Sequence, residues 1–319
     1  MERGAGAMKR RLAHFFHFRL LPSLLRWWPR PIWRLPAALM AIGRALLDIK
    51  TRQLAGNALL ALGQRNTALA RWRFSWQVTY HVETNLLLGL QSDRLDRPWV
   101  KEHVSYDTVL PPGGAILLNL HHANSRVGFL RFSELIHPFG VVVAATIADD
   151  TGPTEPHQSA NVMDPYSRRS RDLRMRVFGS NIFSATRDIR RALRFLRDDG
   201  YLVIQPDARF HGERRWPILG KAFPLAEGAV WFSRHSGKPL IPYGVVPTRG
   251  GWRVVIDPPV APTMDDVAAA LERCLRAAPT CWHPDYWQAW DTMPSWSEYQ
   301  ARLAATTHAA ESAAANTNP

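Results

Sequence analysis

Residues 116–129 read ILLNLHHANSRVGF. An apolar run ends in His121 and His122, and a short polar stretch follows that carries Asn124 and Arg126. In an open α/β sheet, ligands gather at the carboxyl ends of strands. Neutral imidazole is the side chain best suited to take a proton near pH 7. A histidine at the end of a buried strand, just before a helix, is therefore placed to act as a general base. The competing reading is a histidine held by hydrogen bonds in a strand–helix turn. A second charged stretch, DARFHGERRWP (207–217), follows another apolar run, YLVIQ. Its Arg209, Arg214 and Arg215 have the reach and charge to meet substrate phosphates at the rim of such a site. Arg126, beside a helix N-terminus, is suited to hold a phosphate or carboxylate in the same way. Other chemistries lack their residues. Cys274 and Cys281 lie seven apart with no metal-ligand or disulfide pattern. There is no Gly-x-Ser-x-Gly elbow, and Gly113-Gly114 and Gly250-Gly251 match no phosphate-binding loop.

The elements that must position these residues are readable from period and punctuation. Short continuous apolar runs at 115–120, 141–147, 201–205, 239–246 and 252–256 predict strands, the first two buried on both faces. Helical spacing predicts helices at 49–62, 68–90, 127–136, 171–178, 186–199, 225–235 and 267–277. In the 186–199 helix, Thr186 is the expected cap, Asp188 complements the N-terminal dipole, Ile189, Ala192, Leu193 and Leu196 form the apolar stripe, and Gly200 stops it. Strands alternating with helices imply an α/β fold: a mixed, mostly parallel sheet flanked by helices on both faces, with an N-terminal helical segment. Residues 1–43 read as a basic, aromatic-rich, membrane-associating segment. Residues 44–304 read as one α/β domain, with N-terminal helices over 44–110, the sheet core over 111–260 and C-terminal helices over 261–304. A long loop is expected at 149–171, and a disordered tail at 305–319.

Composition narrows the partners. Forty Lys+Arg face 27 Asp+Glu, a formal net charge of +13, and there are 13 Trp. Such a surface attracts nucleic acid, anionic lipid or an acidic protein. Trp favours wet–dry boundaries, which points to a membrane surface. The segment HFFHFRLLPSLLRWWPRPIWRLPAALM interleaves aromatic, aliphatic and basic residues, as an interfacial anchor does; an amphipathic helix pair packed on the main domain is the other reading. No window of 18 apolar residues exists, so no transmembrane helix is expected. Arginines 168, 169, 171, 174 and 176, and then 187, 190, 191, 194 and 197, form two clusters. They are solvated helix faces, or docking faces for an acidic carrier protein or lipid headgroups. No nucleic-acid motif accompanies them, so nucleic acid is not expected as a partner. Two cysteines without a framework suit a reducing compartment.

Several blocks in order resemble one family. LHHANSR sets His121 and Asn124 on the His and Asn of a strand-end block of the type G-H-F-G-N-W-E. RDIRRALRFLRDDGYLVIQPDARF is similar to an Arg-bearing helix, a Gly, a strand and an Asp, with Asp207 as that Asp. LGKAFPLAEGAVWFSRHSGKPLIPYGVV is similar to a block with a Gly (Gly220 here), a Phe, a helix opening with Gly-Ala, and then Gly-x-Pro-x-x-Pro. LRAAPTCWHPDYWQAW resembles a closing Pro-x-x-Trp segment. TRQLAGNALLALG and YHVETNLL look like N-terminal helices. Together these blocks, over about residues 45–290, resemble the bacterial lipid A biosynthesis (lauroyl/myristoyl) acyltransferases of the lysophospholipid acyltransferase superfamily.

The resemblance implies a peripheral membrane O-acyltransferase at the cytoplasmic face of the bacterial inner membrane. It would pass a fatty acyl chain from acyl carrier protein or coenzyme A to a hydroxyl of a lipid A-like glycolipid, with anionic lipid as its surface and no metal or redox cofactor. His121 would be the base, and Asn124, Arg126 and Gly220 would line the substrate. One position departs from the family pattern. The His-x4-Asp/Glu motif requires an acid five residues after the base, and Arg126 stands there. Arginine has only donors and cannot hold the imidazole as a carboxylate does. Three outcomes follow. Another acceptor replaces the acid, with Asp207, Glu227, Asp107 or a backbone carbonyl as candidates. His122 shares the work or is itself the base. Or the protein binds acyl carriers or lipid without catalysis.

Overall fold

The computed structural model describes residues 31–47, 49–106, 109–122, 125–143, 165–207 and 214–316. Helices α1 (Arg34–Leu47), α2 (Ile49–Ala61), α3 (Ala68–Leu90) and α4 (Arg97–His103) come first, then strands β1 (Val104–Tyr106) and β2 (Ala115–Leu118). Helix α5 (Ser125–Leu135), strand β3 (Phe139–Val143), helix α6 (Pro165–Phe178), strand β4 (Ile182–Ser184), helix α7 (Ile189–Arg197) and strand β5 (Tyr201–Ile204) alternate. Then follow the hairpin β6 (Arg215–Ile218) and β7 (Lys221–Pro224), helix α8 (Gly228–Ser236), and strands β8 (Leu240–Pro247) and β9 (Trp252–Ile256). Helices α9 (Met264–Ala277), α10 (Pro284–Asp291) and α11 (Trp296–Asn316) close the chain.

The main sheet has seven strands in the order β1-β9-β8-β2-β5-β3-β4. Strands β8, β2, β5, β3 and β4 run parallel; β9 is antiparallel to β8, and β1 is parallel to β9. The expected mixed, mostly parallel sheet with helices on both faces is what forms. Its central strands are apolar throughout because both faces are covered. Leu117, Val203 and Ile241 point into one core with α5, α6 and the end of α3, while Ile116, Leu118, Leu202, Ile204 and Leu240 point into the other with α7, α8, α9 and α10. Burying each such side chain stabilises by about 1.5–3 kcal/mol.

The path of the chain makes a crevice. From β2 it passes through α5 to β3, skipping over β5; from β5 it passes through the hairpin and α8 to β8, skipping over β2. Connections that leave adjacent parallel strands in opposite directions open a binding crevice at their carboxyl ends. The register fixes what lies there. Leu118 pairs with Ile204, so His121 and Asp207 each stand three residues past a paired position.

Gly114 shows how tightly β2 is seated. Its φ is +76°, and an added Cβ would fall 2.6 Å from the Asp199 carbonyl carbon and from the Gly200 oxygen. Backbone atoms cannot yield as a side-chain tip can. Gly114→Ala is therefore expected to destabilise the fold by at least about 2 kcal/mol, read as a lower urea midpoint.

Several sequence expectations are corrected. The stretch expected to be a loop at 149–171 is helical from Pro165, where α6 begins; residues 144–164, including the end of the expected 141–147 strand, lie outside the described residues. The expected disordered tail is instead the continuation of α11 to Asn316, because Ala is the strongest helix former and the stretch is rich in it. Helix α7 starts at Ile189 with Asp188, not Thr186, at the cap position. The Asp188 carboxylate is turned back to accept the Ser184 amide at 2.8 Å. Short strands β1, β4, β6 and β7 lie where no strand was expected.

Residues 1–30 of the expected membrane segment lie outside the described residues, but its end forms α1. The inner face of α1 buries Ala37, Ala41 and Ala45, and Trp33 packs with Trp99, His103 and Trp252. Its outer face leaves Leu35, Leu39, Ile42 and Leu46 exposed at 69, 61, 41 and 57%. Their spacing places them on one side of the helix. Among the described residues, no helix is long and apolar enough to cross a membrane.

Candidate active site

His121 meets a carboxylate after all, from the neighbouring strand. Its ring Nδ1 lies 2.7 Å from Oδ1 of Asp207. Its backbone N–H also donates to the same group, 3.1 Å from Oδ1 and 2.9 Å from Oδ2. The indole N–H of Trp282 donates to Oδ2 at 3.0 Å. Of the candidate acids among the described residues, Asp207 is the one that reaches His121. Glu227 sits at the N-terminus of α8, 3.5 Å from Arg214, and Asp107 lies outside the described residues.

Asp207 is buried at 2% exposure. Burial alone would raise its pKa, but the charge and hydrogen bonds of His121 and the Trp282 N–H outweigh that and hold it below the ordinary carboxylate value. An ionised carboxylate only accepts, so His121 Nδ1 carries the ring proton. In the neutral ring the lone pair then lies on Nε2, on a side chain that is 34% exposed. The ring also lies flat against Tyr286, with centroids 4.9 Å apart and planes 13° apart.

The closing segment supplies the other wall. The His283 N–H donates to the His121 carbonyl at 3.3 Å, and Trp282 forms an isolated antiparallel bridge with His122. The Ala226 N–H binds the Pro206 carbonyl at 2.7 Å, tying the entrance of α8 to the residue before Asp207. Sequence reasoning noticed the closing segment but assigned no role to Trp282 or Tyr286. Two Pro-x-x-Trp spacings there were the available signal.

His122 lies beneath the surface rather than at the mouth of the crevice. Its ring is buried, and neither ring nitrogen has a hydrogen-bond partner among the described residues. Burial drives its pKa down to about 4, against the pull of Asp207 and with the added repulsion of His121. His81 on α3 is likewise buried and pushed to about 4, by burial and by His122. Both rings are thus neutral near pH 7, and His121 is the imidazole open to solvent.

The remaining expected residues scatter. Arg126 is the second residue of α5 and is half-buried. Arg214 is exposed at the rim beside Glu227. Arg215 is a strut of the hairpin, donating to the Ala222 carbonyl at 3.4 Å and to Met293 Sδ at 2.7 Å. Gly220 is in the β6–β7 turn with φ +76°, and its carbonyl accepts the Trp296 N–H. That turn is the end of the hairpin away from Asp207. Asn124 and Arg209 lie outside the described residues.

The arrangement is a buried, ionised carboxylate orienting a partly exposed imidazole at the mouth of a strand-end crevice. Such a pair can take a proton from a hydroxyl and return it to a leaving group. A comparison with protein-family models and with curated proteins finds no match for the chain.

Proposed function

We propose that this protein is a peripheral membrane O-acyltransferase, with the His121–Asp207 pair as its base. It moves a fatty acyl chain from a thioester of acyl carrier protein or coenzyme A to a hydroxyl of a lipid A-like glycolipid, at the cytoplasmic face of a bacterial inner membrane. The observation that carries the reading is the 2.7 Å contact between His121 Nδ1 and Asp207 Oδ1. The carboxylate that the motif position lacks is supplied from the end of β5.

In this reading Nε2 takes the proton of the acceptor hydroxyl as its oxygen attacks the thioester carbonyl. The C–S bond breaks, the ester bond forms, and the imidazolium returns the proton to the thiolate. Asp207 stabilises the imidazolium without becoming protonated. The step needs no metal or redox group. Arg214 at the rim, and Arg126 at the head of α5, are suited to phosphates of the donor or the glycolipid. The exposed arginines of α7, Arg190, Arg194 and Arg197, suit an acidic carrier protein.

The test supplies purified protein with acyl-carrier and acyl-coenzyme A thioesters and a bacterial lipid extract, then follows labelled acyl chain into lipid. Glycolipid gaining one acyl chain is the expected product. Label found only as free fatty acid would replace transferase with thioesterase.

The outer stripe of α1 supports the membrane reading. Leu35, Leu39, Ile42 and Leu46 sit on one face, and an apolar helix face buried at the headgroup boundary gains with area. Leu39→Asp with Leu46→Asp is expected to weaken retention on anionic vesicles about tenfold or more, in a flotation assay. Retention equal to wild type would remove α1 from the contact.

A further inference from the structure

Asp207 accepts from two residues only among those described: His121, through its ring and its backbone amide, and Trp282. The two His121 bonds come from the partner that the carboxylate is meant to orient. The backbone amide reaches both oxygens, at 3.1 and 2.9 Å, so it does not select which of them faces the ring, whereas the Trp282 indole N–H binds Oδ2 alone. Trp282 is the outside anchor. It comes from a segment 75 residues further along the chain.

We propose that Trp282 is a positioning residue: its indole N–H fastens Oδ2 of Asp207, so that Oδ1 stays aimed at the imidazole of His121. The assignment deepens the reading of His121 as the base and rests on it.

Three observations make Trp282 a rigid anchor. Its side chain is fully buried, and its ring packs on Phe223 and Trp287 with centroids 5.4 and 5.0 Å away. Its backbone is bridged to His122, and the next residue donates to the His121 carbonyl. Tyr286, one turn further, stacks on the His121 ring and lies 6.1 Å from the Trp282 ring at 28°. The segment from Trp282 to Tyr286 therefore touches both members of the pair, holding the acid by a hydrogen bond and the base by a ring face. Orienting partners one step removed from a reacting group are typically worth 10–100-fold.

Trp282→Phe keeps a ring between Phe223 and Trp287 and removes the N–H. The expected result is a kcat lower by about 10–100-fold with KM changed less than about threefold. A readout free of turnover accompanies it. The His121 ring Nδ1–H proton, identified by its disappearance in His121→Ala, should broaden or exchange faster in Trp282→Phe by NMR. If Trp282→Phe fails to fold, the same measurements use the sulfur isostere benzothienylalanine at position 282, which keeps both rings. Unchanged kcat and an unchanged ring-proton resonance would overturn the proposal. Absence of transferase activity in the wild type, with the resonance still sensitive to position 282, would instead sink the functional reading and leave the positioning role standing.

Discussion

Asp207→Asn is expected to lower acyl transfer by about 10³–10⁴-fold while the protein stays folded. The substitution keeps the shape and removes the charge. The carboxylate now accepts the ring N–H and backbone N–H of His121 and the indole N–H of Trp282. An amide has one oxygen and one NH₂, so it cannot accept on both sides. If its oxygen faces His121, its NH₂ faces the Trp282 N–H, donor to donor. If it flips, the NH₂ faces His121 and favours the tautomer with the proton on Nε2, which cannot act as a base. Either way the imidazolium formed during transfer loses its counter-charge. The loss should fall on kcat, because the carboxylate is buried and does not meet substrate. Single-turnover rates and urea midpoints for wild type and variant check it. A loss below about tenfold would mean that another group orients His121.

A second large effect is expected in stability against pH. His81 and His122 ionise near 4 in the folded protein and near 6.5 once unfolded. Between those values the unfolded chain binds more protons than the folded one. Stability is therefore fully present above about pH 6.5 and drains away as pH falls toward 4. Each histidine accounts for about 3 kcal/mol over that window. The two repel each other when charged, so their contributions are coupled. A loss on the order of 5 kcal/mol is comparable with the whole stability of many domains. Asp207, with its depressed pKa, adds a separate loss only below the ordinary carboxylate value. The check is the urea midpoint at pH 7 and at pH 4.5, with His122→Gln beside it. The wild type should lose most of its stability at the lower pH, and His122→Gln a smaller part. A midpoint flat across that range would mean that these rings are not held neutral by burial.

The elements whose signal is local were legible in the sequence. Helix α3 and strand β9 were expected at their observed limits, because long helical spacing and a β-branched run between Gly250-Gly251 and Asp257-Pro258 leave little ambiguity. Strands β1, β4, β6 and β7 were not legible. Each has only three or four residues; β1 and β4 are strands because of partners distant in sequence, and β6 and β7 pair with each other across the Leu219–Gly220 turn. The Ala-rich end of α11 was read by its polarity, although its helix propensity decides it.

The site divides in the same way. His121 was visible because a base at the end of an apolar strand is a local pattern. Asp207 was visible as the Asp that the resemblance set after the YLVIQ strand, and as one of three candidate acids for His121. What selects it is the pairing of Leu118 with Ile204, a register between strands far apart in sequence. Trp282 and Tyr286 were missed because their approach to the pair is wholly tertiary. In the proposed reading the Arg126 position needs no acid, since Asp207 reaches His121 from the end of β5.

In the proposed reading His121, oriented by Asp207, transfers acyl chains from a thioester to a lipid hydroxyl. The most direct measurement is label transfer into lipid by wild type and His121→Ala side by side, each checked for folding. Measurable transfer by wild type with at least one of the two thioester donors, falling by about 10³-fold or more in His121→Ala, is the predicted result. Transfer that survives the substitution, or none from wild type with either donor, would contradict the account.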